Sequence, residues 1–343
     1  MQAQAGKLPG SGGRCHGAER CRLVASSRRP LQDEDDVTGL QGSLAKTVDG
    51  TVKEDAWMSS LEDAFGDIIR KARYGLGLTL DEVAAATEIV SSRLAAFENY
   101  TEKPTRSEVE RLARLLRLGT EALWNAANET WRPDIPDFAN LDFELQRIVF
   151  PTMNANGYIL AQRSAQAALL VDPGGSGDVL VQRCTAVQLP LVACLITHAH
   201  ADHVGALPQI RQAFPDAAIV VHRKAASQLG LEGDNVRVCD EDTSLQIGPF
   251  RVDVLLSPGH SADGLVFLLD NMAFVGDTLF AGSLGRSEKG PETYAQLLAS
   301  ARRIVDLPDR TALLPGHGPP TTALHERMHN PFLTNMATEG WQE

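Results

Sequence analysis

One stretch of this chain carries more potential chemistry than any other: residues 191–203, which read LVACLITHAHADH. Its first six residues form a short apolar run, and such a run predicts a strand that is buried on both faces. Its last six have the form H-x-H-x-D-H and contain three of the nine histidines in the chain. The potential metal ligands therefore begin where a buried strand ends.

The spacing of these ligands predicts metal chemistry. In an extended chain, residues i and i+2 point to the same side, so His198 and His200 can reach one ion. Asp202 and His203 follow as the chain turns toward a helix, and we expect them to face a second ion nearby. Imidazole and carboxylate suit zinc, and they also accept iron or manganese. We therefore expect two divalent metal ions, with zinc as the first choice.

Three further ligands follow strand-like runs later in the chain. His260 follows the run 250–256, Asp277 follows the run 264–269 and a turn, and His317 follows another apolar run. Each lies on a turn marked by Gly or Pro, where a strand would end. A single Pro-Gly-His is a weak signal, but three strand-end ligands in order after H-x-H-x-D-H are a strong one.

Residues from about 146 to 335 thus resemble the metallo-β-lactamase superfamily in the order of their ligand motifs. The resemblance implies an α+β chain whose C-terminal part is a four-layered αβ/βα sandwich, with metals at one edge of its two sheets. It also implies that one metal is held by His198, His200 and His260, and that the other is held by Asp202, His203 and His317. By the same resemblance Asp277 bridges the two ions.

Several stretches resemble the glyoxalase II-like branch of this superfamily. They are 276–286 (GDTLFAGSLGR), 326–333 (ERMHNPFL), Asn154–Tyr158 and 171–175 (VDPGG). The larger enzymes of that branch have a C-terminal helical domain that helps to bind glutathione, and from the short stretch after His317 we expect no such domain here. Thioester hydrolysis is therefore the expected reaction, without a commitment to glutathione.

Our mechanistic hypothesis is that two ions share a hydroxide generated near neutral pH, which attacks the acyl carbon of the thioester. Asp202 is the expected catalytic residue, because it can both ligate and orient the nucleophile. Arg286 is the candidate for binding an anionic substrate. A structural ion pair is an equally good interpretation of Arg286, because exposed arginines commonly pair.

A different pattern precedes the metal motifs. Thr79 with Glu82, and Thr105 with Glu108, form two capping boxes, and apolar residues recur at helical spacing after the second. This part resembles the Xre/Cro-type helix-turn-helix family, which implies a small all-α domain that binds DNA. The N-terminal end of its recognition helix would be Ser91, Ser92 and Arg93, facing the groove.

Charge argues against the DNA hypothesis. Residues 56–126 contain nine Lys and Arg against eleven Asp and Glu, whereas DNA affinity rests largely on neutralising phosphates. The alternative is a helical domain of the same fold that docks a partner or makes the chain a homodimer.

Composition sets the outer bounds. The chain has 343 residues, 43% of them hydrophobic, and a net charge of −12. We expect a disordered segment over 1–55, the helix-turn-helix domain over 56–126, a linker over 127–145 and the metal domain over 146–343. No apolar run approaches the ~18 residues of a membrane span, and five scattered cysteines fit a reducing cytoplasm. Translation from Met58 instead of Met1 is an open alternative.

Two other functions remain open beside the thioester hydrolase. One is a DNA-binding transcriptional regulator whose metal domain senses a metabolite. The other is an iron-dependent persulfide dioxygenase; such enzymes resemble glyoxalase II but use one iron, which would be held here by His198, His260 and Asp277.

Overall fold

A computed structural model describes residues 57, 59–138, 141–287 and 290–334. The segment 1–55, predicted to be disordered, and the alternative start Met58 lie outside the described residues.

Five α-helices make up the first part of the described chain: α1 (Phe65–Gly75), α2 (Leu80–Thr87), α3 (Ser91–Glu98), α4 (Arg106–Leu116) and α5 (Thr120–Asn128). We call them the helical segment. Both expected capping boxes are present, since Thr79 caps α2 with Glu82 and Thr105 caps α4 with Glu108. An N-cap of this kind stabilises a helix by about 1 kcal/mol. The membership of this segment in the Xre/Cro family stays a prediction.

The first of two large sheets has six strands in sequence order: β1 (Glu144–Phe150), β2 (Ala155–Gln162), β3 (Ala167–Val171), β4 (Leu191–Leu195), β5 (Ala218–His222) and β6 (Val236–Cys239). Strands β1 to β3 pair antiparallel, whereas β3 to β6 are parallel. The apolar run before the histidines is therefore an interior strand, β4, as predicted.

The second sheet also has six strands, in the order β14-β13-β10-β9-β8-β7. Their bounds are β7 (Thr243–Ile247), β8 (Phe250–Leu256), β9 (Leu265–Leu269), β10 (Met272–Gly276), β13 (Ala312–Pro315) and β14 (Thr321–Thr322). Strands β10 and β13 are parallel neighbours, and the other pairs are antiparallel. A small hairpin, β11 (Leu279–Phe280) and β12 (Ser283–Leu284), follows β10.

Helices cover both outer faces of the sheets. The remaining ones are α6 (Gly177–Ala186), α7 (Ala201–Val204), α8 (Leu207–Ala213), α9 (Arg223–Gln228), α10 (Pro291–Val305) and α11 (Ala323–His329). One apolar cluster lies between the first sheet and α6 to α9, and a second lies between the two sheets. A third packs the second sheet against α10. The predicted sandwich is confirmed, and the structure shows that both of its large sheets are mixed.

The third cluster also contains the interior of the helical segment. Ile69 of α1 and Leu123 of α5 are buried in it together with Leu297 of α10 and Phe332. A continuous core therefore joins the helical segment to the sandwich. The helical segment and the sandwich are therefore joined by side-chain packing as well as by the predicted linker.

Candidate metal centre

The potential ligands lie where strands of both sheets end. His198 and His200 lie in the loop after β4, and His200 is the N-cap of α7, which carries Asp202 and His203. The other three follow β8, β10 and β13; they are His260, Asp277 and His317. Because β10 and β13 are parallel neighbours, their carboxyl ends meet at one edge. The sheet topology thus brings all seven predicted ligands together.

Three imidazoles form the first cluster. Nδ1 of His200 lies 3.0 Å from Nε2 of His198 and 3.1 Å from Nε2 of His260. In a tetrahedral zinc site with Zn–N bonds of about 2.0–2.1 Å, neighbouring ligand atoms lie about 3.3 Å apart. The spacing of the three nitrogens therefore fits a single shared ion.

A second cluster lies beside the first. Oδ2 of Asp202 is 3.3 Å from Nε2 of His317 and 3.8 Å from Nε2 of His203. The carboxylate of Asp277 reaches both clusters: Oδ1 is 3.3 Å from Nε2 of His203, and Oδ2 is 3.5 Å from Nε2 of both His260 and His317. This is the place expected for a bridging ligand.

Backbone carbonyls orient two of the imidazoles. Nδ1 of His260 donates to the carbonyl oxygen of Arg286 at 2.9 Å, and Nδ1 of His317 donates to that of Asn154 at 2.9 Å. Since a carbonyl only accepts, the proton is on Nδ1 in each ring. Nε2 of each ring then faces the cluster and is the atom that would bind an ion.

Asp172 holds the third ring in the same way. Its Oδ2 lies 2.9 Å from Nδ1 of His203 and accepts a hydrogen bond from Oγ1 of Thr197 at 2.7 Å. Its Oδ1 accepts from the backbone N–H of Thr197 at 2.8 Å. This carboxylate therefore fixes both a ligand ring and the start of the ligand loop.

Two buried atoms among the ligands have no hydrogen-bond partner in the described part of the chain: Nε2 of His203 and Oδ1 of Asp277. Leaving a buried polar atom unpaired costs about 1–3 kcal/mol, and more when it is charged. A cation between them would satisfy both atoms. The residues present therefore fit a bound metal.

The pKa shifts of His198 and of the two carboxylates agree with ligation. Burial, reinforced by the neighbouring His203, holds the pKa of His198 well below its ordinary value, so its ring is neutral. The hydrogen bond from His317 lowers the pKa of Asp202. Burial opposes ionisation of Asp277, yet its contact with His203 keeps its pKa well below the ordinary value. Neutral imidazoles and ionised carboxylates are the forms that bind metals. Burial opposes protonation of His203 and His317, but the neighbouring carboxylates raise the pKa of both rings, that of His317 to about 10. Metal binding there must therefore displace a proton from each ring.

Close packing leaves no room for a side chain at Gly316. A Cβ there would lie 2.2 Å from Oδ1 of Asp277 and 2.6 Å from Cε1 of His203. The glycine before His317 therefore lets the backbone approach the second cluster.

Comparison with known proteins agrees with this geometry. The model of the metallo-β-lactamase superfamily matches residues 152–317. The probable metallo-hydrolase YqgX of Bacillus subtilis is 33% identical over 210 residues, which cover 56% of this chain and 98% of that protein. This chain belongs to the metallo-β-lactamase superfamily.

Other members of the superfamily are similar over the same part. Hydroxyacylglutathione hydrolase GloC of Haemophilus influenzae is 32% identical over 188 residues, or 50% of this chain and 89% of that enzyme. The crystal structure of BLEG-1 B3 metallo-β-lactamase superposes with a TM-score of 0.50 at 33% identity, covering 56% of this chain and all of that one. The family binds divalent metals, and the chain is a metallo-hydrolase by membership.

Five of the seven predicted ligands line a cavity of about 720 Å³: His200, Asp202, His260, Asp277 and His317. The predicted substrate residue Arg286 lines it, together with Phe280 of the hairpin. The opposite wall comes from the helical segment and the residues just before it: Glu62, Asp63, Arg70, Lys71 and Tyr74. No pattern in the sequence indicated that the two parts of the chain meet here.

The predicted DNA-contacting residues do not line this cavity, and two of them have partners of their own. Ser91 donates to Oδ1 of Asp81 at 2.6 Å. The guanidinium of Arg93 pairs with Glu102 and Glu108 and lies over the ring of Phe97. Ser92 lies beside them at the N-terminal end of α3, with an exposed side chain.

Sequence reasoning missed the residues that position the ligands. Asp172 is one, and Asp263 is another, since its Oδ2 accepts from the backbone N–H of Ala199 at 2.9 Å. A signal for Asp172 was present, because it directly follows the apolar strand β3 as Asp277 follows β10. Asp263 has no such signal.

Within the described ranges, no helix is both long and apolar enough to cross a membrane.

Proposed function

We propose that this chain is a hydrolase that uses two divalent ions, zinc by preference, to cleave a thioester. His198, His200 and His260 would hold one ion, and Asp202, His203 and His317 the other, with Asp277 between them. The observation that carries the proposal is the convergence of two ligand clusters, with unpaired buried atoms, on one open cavity.

When bound, the ions would supply Lewis-acid activation of water and of the acyl carbonyl. The residues of the chain then divide the remaining work. Asp202 is ionised and about a quarter exposed (26%) to the cavity, so it can accept a hydrogen bond from the attacking water and orient it. Arg286 lines the cavity and offers a positive charge to an anionic part of the substrate.

Support for a thioester comes from the glyoxalase II-like stretches of the sequence. The stretch 276–286 contains the bridging carboxylate, the hairpin β11–β12 and Arg286, so it forms both the floor and one side of the cavity. The similarity to hydroxyacylglutathione hydrolase GloC points to the same reaction class.

A mononuclear iron dioxygenase is the second candidate, since His198, His260 and Asp277 also lie together. The second cluster favours the hydrolase, because a one-iron enzyme has no need of a His317 held with Asp202 at 3.3 Å. Two zinc ions per chain are expected on metal analysis. One iron per chain with oxygen consumption would support the dioxygenase instead.

Metal content and turnover test the proposal together. Wild type is expected to hold two ions and to release thiol from a panel of acyl thioesters. His200→Ala is expected to lose bound metal and turnover. The matched control is His222→Ala, because His222 caps α9 through Lys224 and lies outside the clusters. Full metal content and full activity in His200→Ala would contradict the assignment of His200 as a metal ligand.

DNA binding by the helical segment is a separate prediction. Arg93 would have to leave Glu102 and Glu108 to reach phosphate, so we do not include DNA in the proposed function. An electrophoretic shift with DNA from upstream of the coding region tests it; a specific shift that Arg93→Ala abolishes would establish the regulator hypothesis.

A further inference from the structure

One wall of the metal cavity belongs to helix α1. Arg70, Lys71 and Tyr74 line it, and residues spaced by three or four lie on one face of a helix. The same face therefore presents two cations and an aromatic ring toward the ligand clusters. Nothing in the superfamily match over 152–317 accounts for these residues.

Helix α1 is fixed to the sandwich. Nζ of Lys71 donates to the carbonyl oxygen of Leu284 at 2.8 Å and lies 5.0 Å above the ring of Phe280. At the end of the helix, Gly75 lies so close to Tyr294 of α10 that a Cβ would come within 2.4 Å of its ring. This wall therefore holds its place by contacts with both the hairpin and α10.

The segment just before α1 is fastened as well. Arg147 donates to the carbonyl oxygen of Trp57 at 3.2 Å and to Oγ of Ser59 at 3.1 Å. Oε2 of Glu62 accepts from Asn154 at 2.8 Å, in the loop whose carbonyl orients His317. The approach to α1 thus contacts β1 and the β1–β2 loop, whose Asn154 carbonyl orients His317.

The two cations on this wall, Lys71 and Arg70, differ in how far they are exposed to a ligand in the cavity. Lys71 pairs with Asp63 and is largely buried, so it acts as an anchor. Arg70 pairs with Asp67 and donates to the carbonyl oxygen of Glu98 at 3.1 Å, but its side chain is still 36% exposed. Arg70 also donates to the hydroxyl of Tyr100 at 3.3 Å. Because a guanidinium has five N–H donors, these three contacts leave donors of Arg70 available.

Acidic groups on the same wall do not cancel this cation. Asp63 is taken up by Lys71, and the carboxyl of Glu62 is half-buried against Asn154. Burial raises the pKa of the Glu62 carboxyl above its ordinary value. Tyr74 is 54% exposed and adds an apolar face with a hydroxyl one helical turn from Arg70.

We propose that Arg70 and Tyr74 of the helical segment bind an anionic group on the thiol portion of the substrate while the acyl carbonyl faces the ligand clusters. The inference rests on the proposed function. It assigns substrate selection to α1, with the class of substrate being a thioester whose thiol carries carboxylate or phosphate.

The test uses one acyl group on three thiols: glutathione for carboxylate, coenzyme A for phosphate and N-acetylcysteamine for no charge. Wild type is expected to have a lower KM for one of the anionic thioesters, and which one identifies the anion. Arg70→Gln is expected to raise that KM about tenfold, the loss of one charge-assisted hydrogen bond at a partly exposed site. Its kcat, metal content and KM for the neutral thioester should not change.

Two further variants guard against a folding artefact. Tyr74→Ala, at an exposed position, is expected to raise the same KM by a smaller factor. Arg114→Gln, an exposed arginine on α4 outside the cavity, is the matched control and should behave as wild type. Equal KM values for charged and neutral thiols in wild type, or an Arg70→Gln variant with unchanged KM for all three, would overturn the inference.

A binding measurement separates this inference from the proposed function. S-methylglutathione and coenzyme A are titrated calorimetrically into metal-loaded wild type and Arg70→Gln. Binding that depends on Arg70 in a protein that hydrolyses no thioester would refute the function and leave the inference standing. Hydrolysis of all three thioesters without any dependence on Arg70 would support the proposed function and refute the inference.

Discussion

Two walls enclose the cavity: the sandwich wall, which carries the metal ligands, and the helical wall, formed by α1 and the residues before it. They differ in whether their charged and polar groups are already paired. Behind the sandwich wall, Nε2 of His203 and Oδ1 of Asp277 lie 3.3 Å apart, and neither forms a hydrogen bond within the described residues. On the helical wall, Lys71 and Arg70 are already paired with Asp63 and Asp67. A cation bound at the sandwich wall would therefore contact atoms that form no hydrogen bond. An anion bound at the helical wall would have to share donors with Asp63 and Asp67.

This difference teaches where mutation should matter most. Unpaired buried ligands depend on the ion and on one another, so removing one should affect the whole centre. Paired, partly exposed charges contribute modestly and independently. We expect large effects on turnover from the sandwich wall and selective effects on KM from the helical wall.

The largest effect is expected from Asp277→Ala. It removes the only carboxylate that reaches both clusters, within the described residues, and leaves buried imidazoles without it. We expect loss of at least one ion per chain and a fall in kcat/KM of about a thousandfold or more. Metal analysis with steady-state kinetics checks this. Retention of two ions would show that Asp277 is not shared.

A smaller effect is expected from Asp172→Asn. Its carboxylate orients His203 and Thr197 without lining the cavity. Removing the charge while keeping the shape should weaken metal affinity about 10–100-fold. Competition with a chelator measures this, and excess metal should restore much of kcat. An unchanged affinity would mean that the ring of His203 is held by packing alone.

The two walls also differ in how far the sequence could predict them. Each ligand on the sandwich wall directly follows or closely follows an apolar strand, and parallel strands end at one edge, so motif order sufficed to bring seven residues together. The positions of Asp202 and His203 required only a turn into α7. Local pattern determines such contacts because the sheet supplies the long-range geometry.

The helical wall had no comparable signal. Arg70, Lys71 and Tyr74 lie in an ordinary amphipathic helix. No local sequence pattern indicates that the polar face of this helix contacts a cavity whose metal ligands lie far along the chain, from His200 onward. That contact depends on tertiary packing, such as Gly75 against Tyr294 and Ile69 in the core shared with α10. The segment's charge pattern argued against DNA, but it could not indicate the cavity.

A selective effect is expected from Gly75→Ala. The new methyl would lie 2.4 Å from the ring of Tyr294, so α1 must shift at a cost of about 1–3 kcal/mol in unfolding free energy. We expect a several-fold higher KM for an anionic thioester with kcat and metal content unchanged. Kinetics and urea unfolding check this.

A second substitution tests the cause. In the double variant Gly75→Ala with Tyr294→Leu, the ring that the methyl meets is gone, so KM should return toward the wild-type value. A KM that stays high would mean that α1 is displaced for another reason. An unchanged KM in the single variant would mean that the position of α1 does not affect binding.

The smallest effect on turnover, with a distinct pH signature, is expected from Glu326→Gln. Glu326 on α11 accepts from the backbone N–H of Gly282 at 2.9 Å and from Nδ2 of Asn330 at 2.9 Å, and Asn330 in turn donates to the carbonyl oxygen of Ser283 at 2.9 Å. These bonds fasten the hairpin on which Lys71 rests. Complete burial raises the pKa of Glu326 to about 7 from an ordinary 4.5.

The sign of the pH effect follows from that pKa. Since the folded protein holds the proton more tightly than the unfolded chain, the contribution of Glu326 to stability is full below pH 4.5 and is lost as pH rises through about 7. Glutamine cannot titrate. The difference in unfolding free energy, variant minus wild type, should therefore rise by about 2–3 kcal/mol between pH 5 and pH 8. Urea unfolding of both proteins across this range measures it, and slopes from the metal ligands cancel in the difference. A flat difference would show that the three donors to Glu326, which are Gly282, Asn330 and the hydroxyl of Thr321 at 2.8 Å, keep its carboxylate ionised.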